Sequence, residues 1–312
     1  MERTLSRVCI IGCGAVGSLF AAHLAQKGET EVWAYDVWKE HIDAIRRNGL
    51  RISGAADFTA RLNATSDANE LPHCDYGIVA TKATHTRSAI TQAARAFDES
   101  SAVCSVQNGV GNEEILAEHV KHVIRGTTFP AGHPIAPGHI GFDIRGDTWI
   151  GPFEPANTPM AMVEDLAGLI TRSGMKTIAM RDARGAQWTK LIFNAATNPV
   201  GALTLLHHGA ATRFQPTGQL TNELIAEGER VAKAMGIELH GDARVLVQKG
   251  ANAPGKHRAS MLQDVLAKRQ TEVDFMNGAI VKYGEQHGVP TPLNQLMWQL
   301  IKGLEHSWSD PA

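Results

Sequence analysis

Close to its N-terminus the sequence reads Val8-Cys9-Ile10-Ile11-Gly12-Cys13-Gly14-Ala15-Val16-Gly17. A short apolar run stops at a glycine, and Gly14 to Lys27 then carries apolar residues at helical spacing. Strand, glycine turn and helix in that order are the setting in which a G-x-G-x-x-G pattern holds a dinucleotide. Gly12 permits the tight turn, Gly14 removes the Cβ that would keep a pyrophosphate off the backbone, and Gly17 lets the helix pack on the strand. With Ala15 and Val16 in its first turn, the helix offers unpaired N–H groups and partial positive charge to phosphates.

Glu31 to Tyr35 is strand-like again and completes a βαβ unit. Asp36 ends that second strand, nineteen residues after Gly17, where a carboxylate accepts hydrogen bonds from ribose hydroxyls and repels a 2′-phosphate. The cofactor reading is therefore NAD or NADP, with NAD favoured by Asp36. Two features leave the choice open: aspartate is also a preferred helix cap, here for a helix starting near Trp38, and Lys39 and Arg46 on that helix offer a phosphate basic partners.

Further strands are expected at Tyr76 to Thr81, Ala102 to Val106 and Val123 to Thr128, with alanine-rich helices between them. Glycines and prolines punctuate His122 to Gly151, which suggests antiparallel strands at the sheet edge. Beyond Met180 the pattern is helical: Ala186 to Asn198, Thr217 to Met235, Ser260 to Gln286 and Asn294 to Glu305 each carry an apolar stripe. The fold class is α/β, a Rossmann-type doubly wound parallel sheet over residues 1–182 followed by an all-α substrate domain over 183–312. Lys249 to Arg258 is polar, holds Gly and Pro, and reads as a loop and lid element. The apolar helix Asn294 to Glu305 packs either within the chain or across a homodimer.

The 312 residues are 43% hydrophobic, enough for two domains with real cores. Thirty Lys and Arg against 32 Asp and Glu leave a net charge of −2, which speaks against a nucleic-acid or anionic-membrane partner and for a small molecule. With no signal-peptide pattern and no run of about 20 apolar residues, the expectation is a cytoplasmic protein. Cys9, Cys13, Cys74 and Cys104 lack CxxC spacing and read as reduced, structural thiols. The fourteen histidines are scattered without HExxH spacing, so no metal site is expected, and the absence of GxSxG removes the serine-hydrolase reading.

The second half contributes a different signature. Trp188-Thr189-Lys190-Leu191-Ile192-Phe193-Asn194-Ala195-Ala196-Thr197-Asn198-Pro199 places Lys190, Asn194 and Asn198 at i, i+4 and i+8, on one face of a helix that Pro199 ends or kinks. Two asparagines are poor helix formers, and their presence in an otherwise apolar helix asks for a reason.

Together with GCGAVG, Thr81-Lys82, Gln107-Asn108-Gly109-Val110-Gly111-Asn112, Ser260-Met261-Leu262-Gln263-Asp264 and Thr271 to Gly278, this helix resembles the ketopantoate reductase family over essentially the whole chain. The resemblance implies reduction of a small branched 2-oxo acid, most directly 2-dehydropantoate to pantoate, in a cleft between the two domains. It makes Lys190 the general acid and Glu272 the carboxylate that binds a substrate hydroxyl. Asn194 and Asn198 become substrate hydrogen-bonding groups, Ser260 the substrate-carboxylate ligand, and Lys82 and Asn108 cofactor-side residues. Two of these also have plain structural readings: Glu272 as an exposed helix carboxylate beside Lys268, and Ser260-x-x-Gln263 as a capping box. The chain departs from the family at Tyr35-Asp36-Val37-Trp38, where many members carry a basic residue for the 2′-phosphate. An NAD-dependent 2-hydroxy-acid dehydrogenase is therefore the rival enzyme, and a non-catalytic dinucleotide-sensing protein the rival of another class.

Overall fold

The computed structural model describes residues 5–252 and 258–310. Residues 253–257, part of the loop expected before Arg258, lie outside the described residues. The chain forms two compact units, Met1–Gln107 with Asn112–Ala183, and Asn108–Gly111 with Arg184–Ala312.

In the first unit the strands are β1 (Ser6–Ile11), β2 (Thr30–Tyr35), β3 (Leu50–Gly54), β4 (Phe58–Ala60), β5 (Asn63–Thr65), β6 (Tyr76–Val79), β7 (Ala102–Ser105), β8 (His122–Thr128), β9 (Ala131–Ala136), β10 (His139–Ile144), β11 (Thr148–Pro152) and β12 (Thr177–Ala179). Five helices accompany them: α1 (Ala15–Gln26), α2 (Lys39–Asn48), α3 (Thr86–Ala93), α4 (Asn112–Ala117) and α5 (Met160–Arg172). The main sheet has the order β12-β11-β8-β7-β6-β1-β2-β5, parallel throughout except for the β8–β11 pair. Because the chain runs outward from β1 to β2 and β5 and returns to β6 on the other side of β1, the order reverses between β1 and β6. In an open α/β sheet that reversal opens a crevice at the carboxyl ends of the two strands.

Period-two alternation explains why both faces of this sheet are dry. Val8, Ile10, Ile78 and Cys104 enter one core with Phe20 of α1 and Leu166 of α5. Cys9, Ile11, Val79 and Val103 enter the opposite core with Ile90 of α3 and Leu116 of α4. All four cysteines are buried and unbonded, matching the thiol reading, and burial raises Cys104 and Cys13 above the ordinary thiol range.

The edge region departs from the expectation. From that stretch β8 and β11 pair antiparallel in the main sheet, with β12 outside β11, whereas β9 and β10 join β3 and β4 in a separate sheet of order β4-β3-β10-β9. This sheet packs on α1, where His23 meets the rings of Phe58 and Phe142 edge-on at 5.0 and 5.7 Å.

The second unit is helical, with α6 (Arg184–Thr204), α7 (His208–Arg213), α8 (Gln215–Ala234), α9 (Ala243–Asn252), α10 (Ser260–Leu266), α11 (Asn277–Gln286) and α12 (Pro292–His306). Lys249 to Asn252 are thus helical rather than loop. The continuous helix expected from Ser260 to Gln286 is broken by an irregular stretch with a short 3-10 turn at Val273–Phe275. Around α6, the side chains of Trp188, Leu191, Ile192, Ala195 and Val200 form a core with Leu224, Ile225 and Val231 of α8. Met297 and Ile301 of α12 pack into this core, while Leu296 and Leu300 remain exposed. Among the described residues no helix is long and apolar enough to cross a membrane.

Candidate active site

The glycine turn behaves as its sequence demands. Gly12 has φ +91°, and a Cβ there would lie 2.5 Å from Thr81 Cγ2 and 2.7 Å from Thr81 N, so the first turn rests against the segment after β6. A Cβ on Gly17 would fall 1.9 Å from the Gly12 carbonyl oxygen. One on Gly14 meets nothing within 4 Å. Gly14 is also the N-cap of α1, and no side-chain cap bonds the first-turn amides, which include those of Ala15 and Val16. An open, uncapped helix start at the reversal point of the sheet suits a pyrophosphate.

Asp36 is tied to this turn. Its Oδ2 accepts the Cys13 amide at 2.6 Å and its Oδ1 accepts the Trp38 amide at 2.8 Å. The N-cap of α2 is Trp38 itself, so the alternative of Asp36 as helix cap does not hold. A carboxylate has about four lone-pair sites, so two amides leave capacity for ribose hydroxyls. Lys39 is exposed, and Arg46 is spent on the Ala64 carbonyl and Glu70. Lys82 is half-buried and precedes the 3-10 turn Ala83–His85, beyond the end of β6. The sequence reading gave Gln107 no role, yet its Nε2 reaches the Thr81 carbonyl and hydroxyl, each at 3.1 Å, and the Thr86 hydroxyl at 2.7 Å, tying the carboxyl ends of β6 and β7 together.

The helical unit collects the other predicted residues. Asn194 and Asn198 are 7% and 5% exposed on α6, and Lys190 is half-buried one turn before Asn194. Burial lowers the Lys190 ammonium to about 8, opposed by the negative charge of Glu272, which favours the protonated form. Glu272 is itself only 4% exposed and lies just before the 3-10 turn, not on a solvated helix. The surface pairing with Lys268 is therefore the wrong reading. Neither its burial nor the lysine charge it acts on can be seen from local spacing, which predicts one continuous helix where the chain is irregular.

Asn194 Nδ2 approaches Asn108 Oδ1 at 3.5 Å, and Asn198 Nδ2 lies 3.6 Å from Met276 Sδ, a weak acceptor. The Asn108 turn is seated on the irregular stretch. Gly109 has φ +83° and a Cβ there would be 2.3 Å from the Phe275 oxygen, which also accepts the Val110 amide at 3.1 Å. Ser260 is half-buried as the first residue of α10, a helix packed on α6. The N-cap position belongs to Ala259, and Gln263 Nε2 donates to the Arg258 carbonyl, so the capping box is not formed.

Pro199 does not end α6, which continues to Thr204. Proline has no N–H for the carbonyl four residues earlier, that of Ala195. The Asn277 side chain fills that role, donating to Ala195 O at 2.9 Å and to Asn294 Oδ1 at 3.0 Å. Asn294 in turn gives its amide N–H and Nδ2 to the buried Glu227 carboxylate at 2.9 and 2.8 Å. A network of three side chains thus accompanies the passage of α6 through its proline.

Residues 8–155 match the family model described as ketopantoate reductase PanE/ApbA, and residues 182–305 match its C-terminal counterpart. The chain is similar to a 2-dehydropantoate 2-reductase of Archaeoglobus fulgidus, 33% identical over 96% of this chain and 98% of that one. A 2-dehydropantoate 2-reductase of Vibrio cholerae is 29% identical over 97% and 99%. Among solved structures, a PanE/ApbA family ketopantoate reductase from Ralstonia eutropha JMP134 superposes with a TM-score of 0.87 at 29% identity, covering 96% and 99% of the two chains. D-mandelate dehydrogenase shares the fold, with a TM-score of 0.87, 24% identity and coverage of 96% and 99%. The chain belongs to the ketopantoate reductase family of oxidoreductases.

Proposed function

We propose that the protein reduces 2-dehydropantoate to pantoate with a nicotinamide dinucleotide, and that Lys190 is the general acid. The observation that carries this reading is the partly desolvated lysine, lowered to about 8 and opposed by one buried carboxylate, on a helix face shared with two buried asparagines. A lysine in that state is mostly charged at neutral pH yet able to give up its proton.

The Gly12 to Gly17 turn would hold the pyrophosphate through the amides of Gly14, Ala15 and Val16, with Asp36 on the ribose and Lys82 and Asn108 toward the nicotinamide end. When bound, the reduced nicotinamide supplies a hydride to the carbonyl carbon of the 2-oxo acid. Lys190 Nζ donates a hydrogen bond to the keto oxygen, stabilises the negative charge growing there, and passes its proton to it as the C=O bond becomes C–OH. The neutral amine is then reprotonated from solvent. Glu272 holds the ammonium in its charged form and accepts a substrate hydroxyl. Asn194 and Asn198 orient the acid without adding charge, and Ser260 binds its carboxylate.

Asp36 supports NADH over NADPH: an acidic residue at the end of the second strand of such a unit suits the ribose hydroxyls, and two amides hold its carboxylate. That same observation supports the second reading, an NAD-dependent 2-hydroxy-acid dehydrogenase for another substrate. The test follows nicotinamide absorbance with 2-dehydropantoate and a panel of other 2-oxo acids, using NADH and NADPH at equal concentration. Rapid oxidation with 2-dehydropantoate is expected, NADH being preferred. A higher kcat/KM for another acid would move the assignment to the second reading, and dinucleotide binding without oxidation by any acid would remove enzymatic function altogether.

A further inference from the structure

Glu272 sits between two residues that grip the same helix. On one side, Thr271 gives both its amide, at 2.8 Å, and its hydroxyl, at 2.6 Å, to Glu305 Oε1. On the other, Asp274 accepts from Trp298 Nε1 at 2.7 Å and from Lys302 Nζ at 2.9 Å. Residues 298, 302 and 305 form one stripe of α12 at i, i+4 and i+7. Lys302 Nζ also lies 3.4 Å from Glu305 Oε2, so the acceptor of Thr271 is itself held. Thr271 is fully buried, and its hydroxyl also accepts the Val273 amide at 3.3 Å.

An irregular segment with one short 3-10 turn has few hydrogen bonds of its own to fix its course. Here that task falls to side chains from a helix about thirty residues further along the chain. We infer that Thr271 and Glu305 are positioning residues for the reaction: their contact fixes Glu272 opposite Lys190, so that α12 sets the geometry of the acid without touching substrate. This rests on the assignment of Lys190 and Glu272 made above. Among the described residues, the charged groups around the segment include Lys190 on α6, Lys302 and Glu305 on α12, Asp264 of α10 paired with Arg269 beyond its end, and Asp274 within the segment. Of these, Thr271 meets only Glu305 directly, so removing its hydroxyl leaves every charge in place.

The experiment compares Thr271→Val, Thr271→Ser and Glu305→Ala with the parent enzyme, reading kcat, KM for each substrate and the pH dependence of kcat for reduction. Thr271→Val is expected to lower kcat about ten- to a hundredfold, with KM for the dinucleotide little changed. Its alkaline limb should also move to lower pH, because a displaced Glu272 no longer favours the charged lysine. Thr271→Ser, which keeps the hydroxyl, should restore both readouts, and Glu305→Ala should reproduce the valine variant. Glu305→Ala also decides the matter should Thr271→Val not fold. Parent-like kcat and limb in the variant that folds, or equal losses in valine and serine variants, would overturn the inference. Glu272→Gln separates the two levels: if it leaves kcat and limb untouched, the assignment of Glu272 fails, whereas if it shifts them and Thr271→Val does not, only the positioning role fails.

Discussion

Asp36 Oδ2 accepts the amide of Cys13 at 2.6 Å, which joins the acidic end of β2 to the glycine turn after β1 as one hydrogen-bonded piece. The residue that would select the ribose also shapes the loop that would hold the phosphates. Asp36→Ala should therefore harm NADH more than NADPH, lowering the ratio of their kcat/KM values about tenfold, which corresponds to ~1.4 kcal/mol. Steady-state kinetics with both dinucleotides at saturating 2-oxo acid checks this, and an unchanged ratio would remove Asp36 from cofactor selection.

Lys190 carries its proton at neutral pH and loses it near 8. Reduction needs the charged form, so its kcat should be flat below that value and fall above it, while the reverse oxidation should rise through the same range. Lys190→Ala should lose about 10²–10⁴-fold in kcat with dinucleotide affinity, measured by fluorescence titration, left within a few-fold of the parent. A bell or limb that persists unchanged in the alanine variant would assign the titration elsewhere.

His41 is fully buried with both ring nitrogens committed. Nδ1 accepts the Gly138 amide at 3.0 Å, which leaves Nε2–H to donate to Ser18 Oγ at 3.2 Å, and Ser18 passes the chain on to the Cys13 carbonyl at 2.9 Å. Trp38 stacks on the ring at 4.6 Å. Burial lowers its proton affinity, Asp36 opposing, and burial acts the same way on His23. The unfolded chain takes up these protons near pH ~6.5 and the fold only below it, so stability should decline as pH drops through that range. His41→Phe should cost about 1–3 kcal/mol at pH 7.5 and show a shallower loss on going to pH 5.5 in urea titrations. A parallel loss would place the acid sensitivity in other groups.

Asn277 donates to the carbonyl that Pro199 leaves without a helix partner. Asn277→Ala should destabilise by about 1–3 kcal/mol through that unpaired buried oxygen. Pro199→Ala restores an N–H in the helix, so the double variant should lose less than the sum of the two single changes. Additivity in thermal or urea melts would mean that the asparagine and the proline are unrelated.

What could be read from residue order alone follows from the range of the forces involved. The β1 turn, α1 and Asp36 lie within one βαβ unit, and the stripe of Lys190, Asn194 and Asn198 is set by helical period, so local pattern sufficed for both. The second sheet was not legible because β10 pairs with β3, far back in the chain, and pairing partners leave no trace in spacing. At Pro199 local sequence predicts an end or a kink, and the donor that serves the carbonyl it leaves, Asn277, comes from another helix. Ser260 and Gln263 spell a capping box, yet the helix starts at Ser260 and Ala259 takes the cap. Glu272 is assigned through family resemblance, and its neighbours Thr271 and Asp274 bond to α12, contacts that local spacing does not reveal.

The Asn108 to Gly111 turn belongs to the helical unit although its flanks belong to the other. Val110 is part of the helical core, and its amide has no partner until Phe275 has been added to the chain. The smaller unit is therefore assembled from two separated pieces of polypeptide, the first of which leaves the ribosome long before the second. Its closure is a late, non-local event of high contact order, and the first unit must spend that interval with its connecting tab undocked.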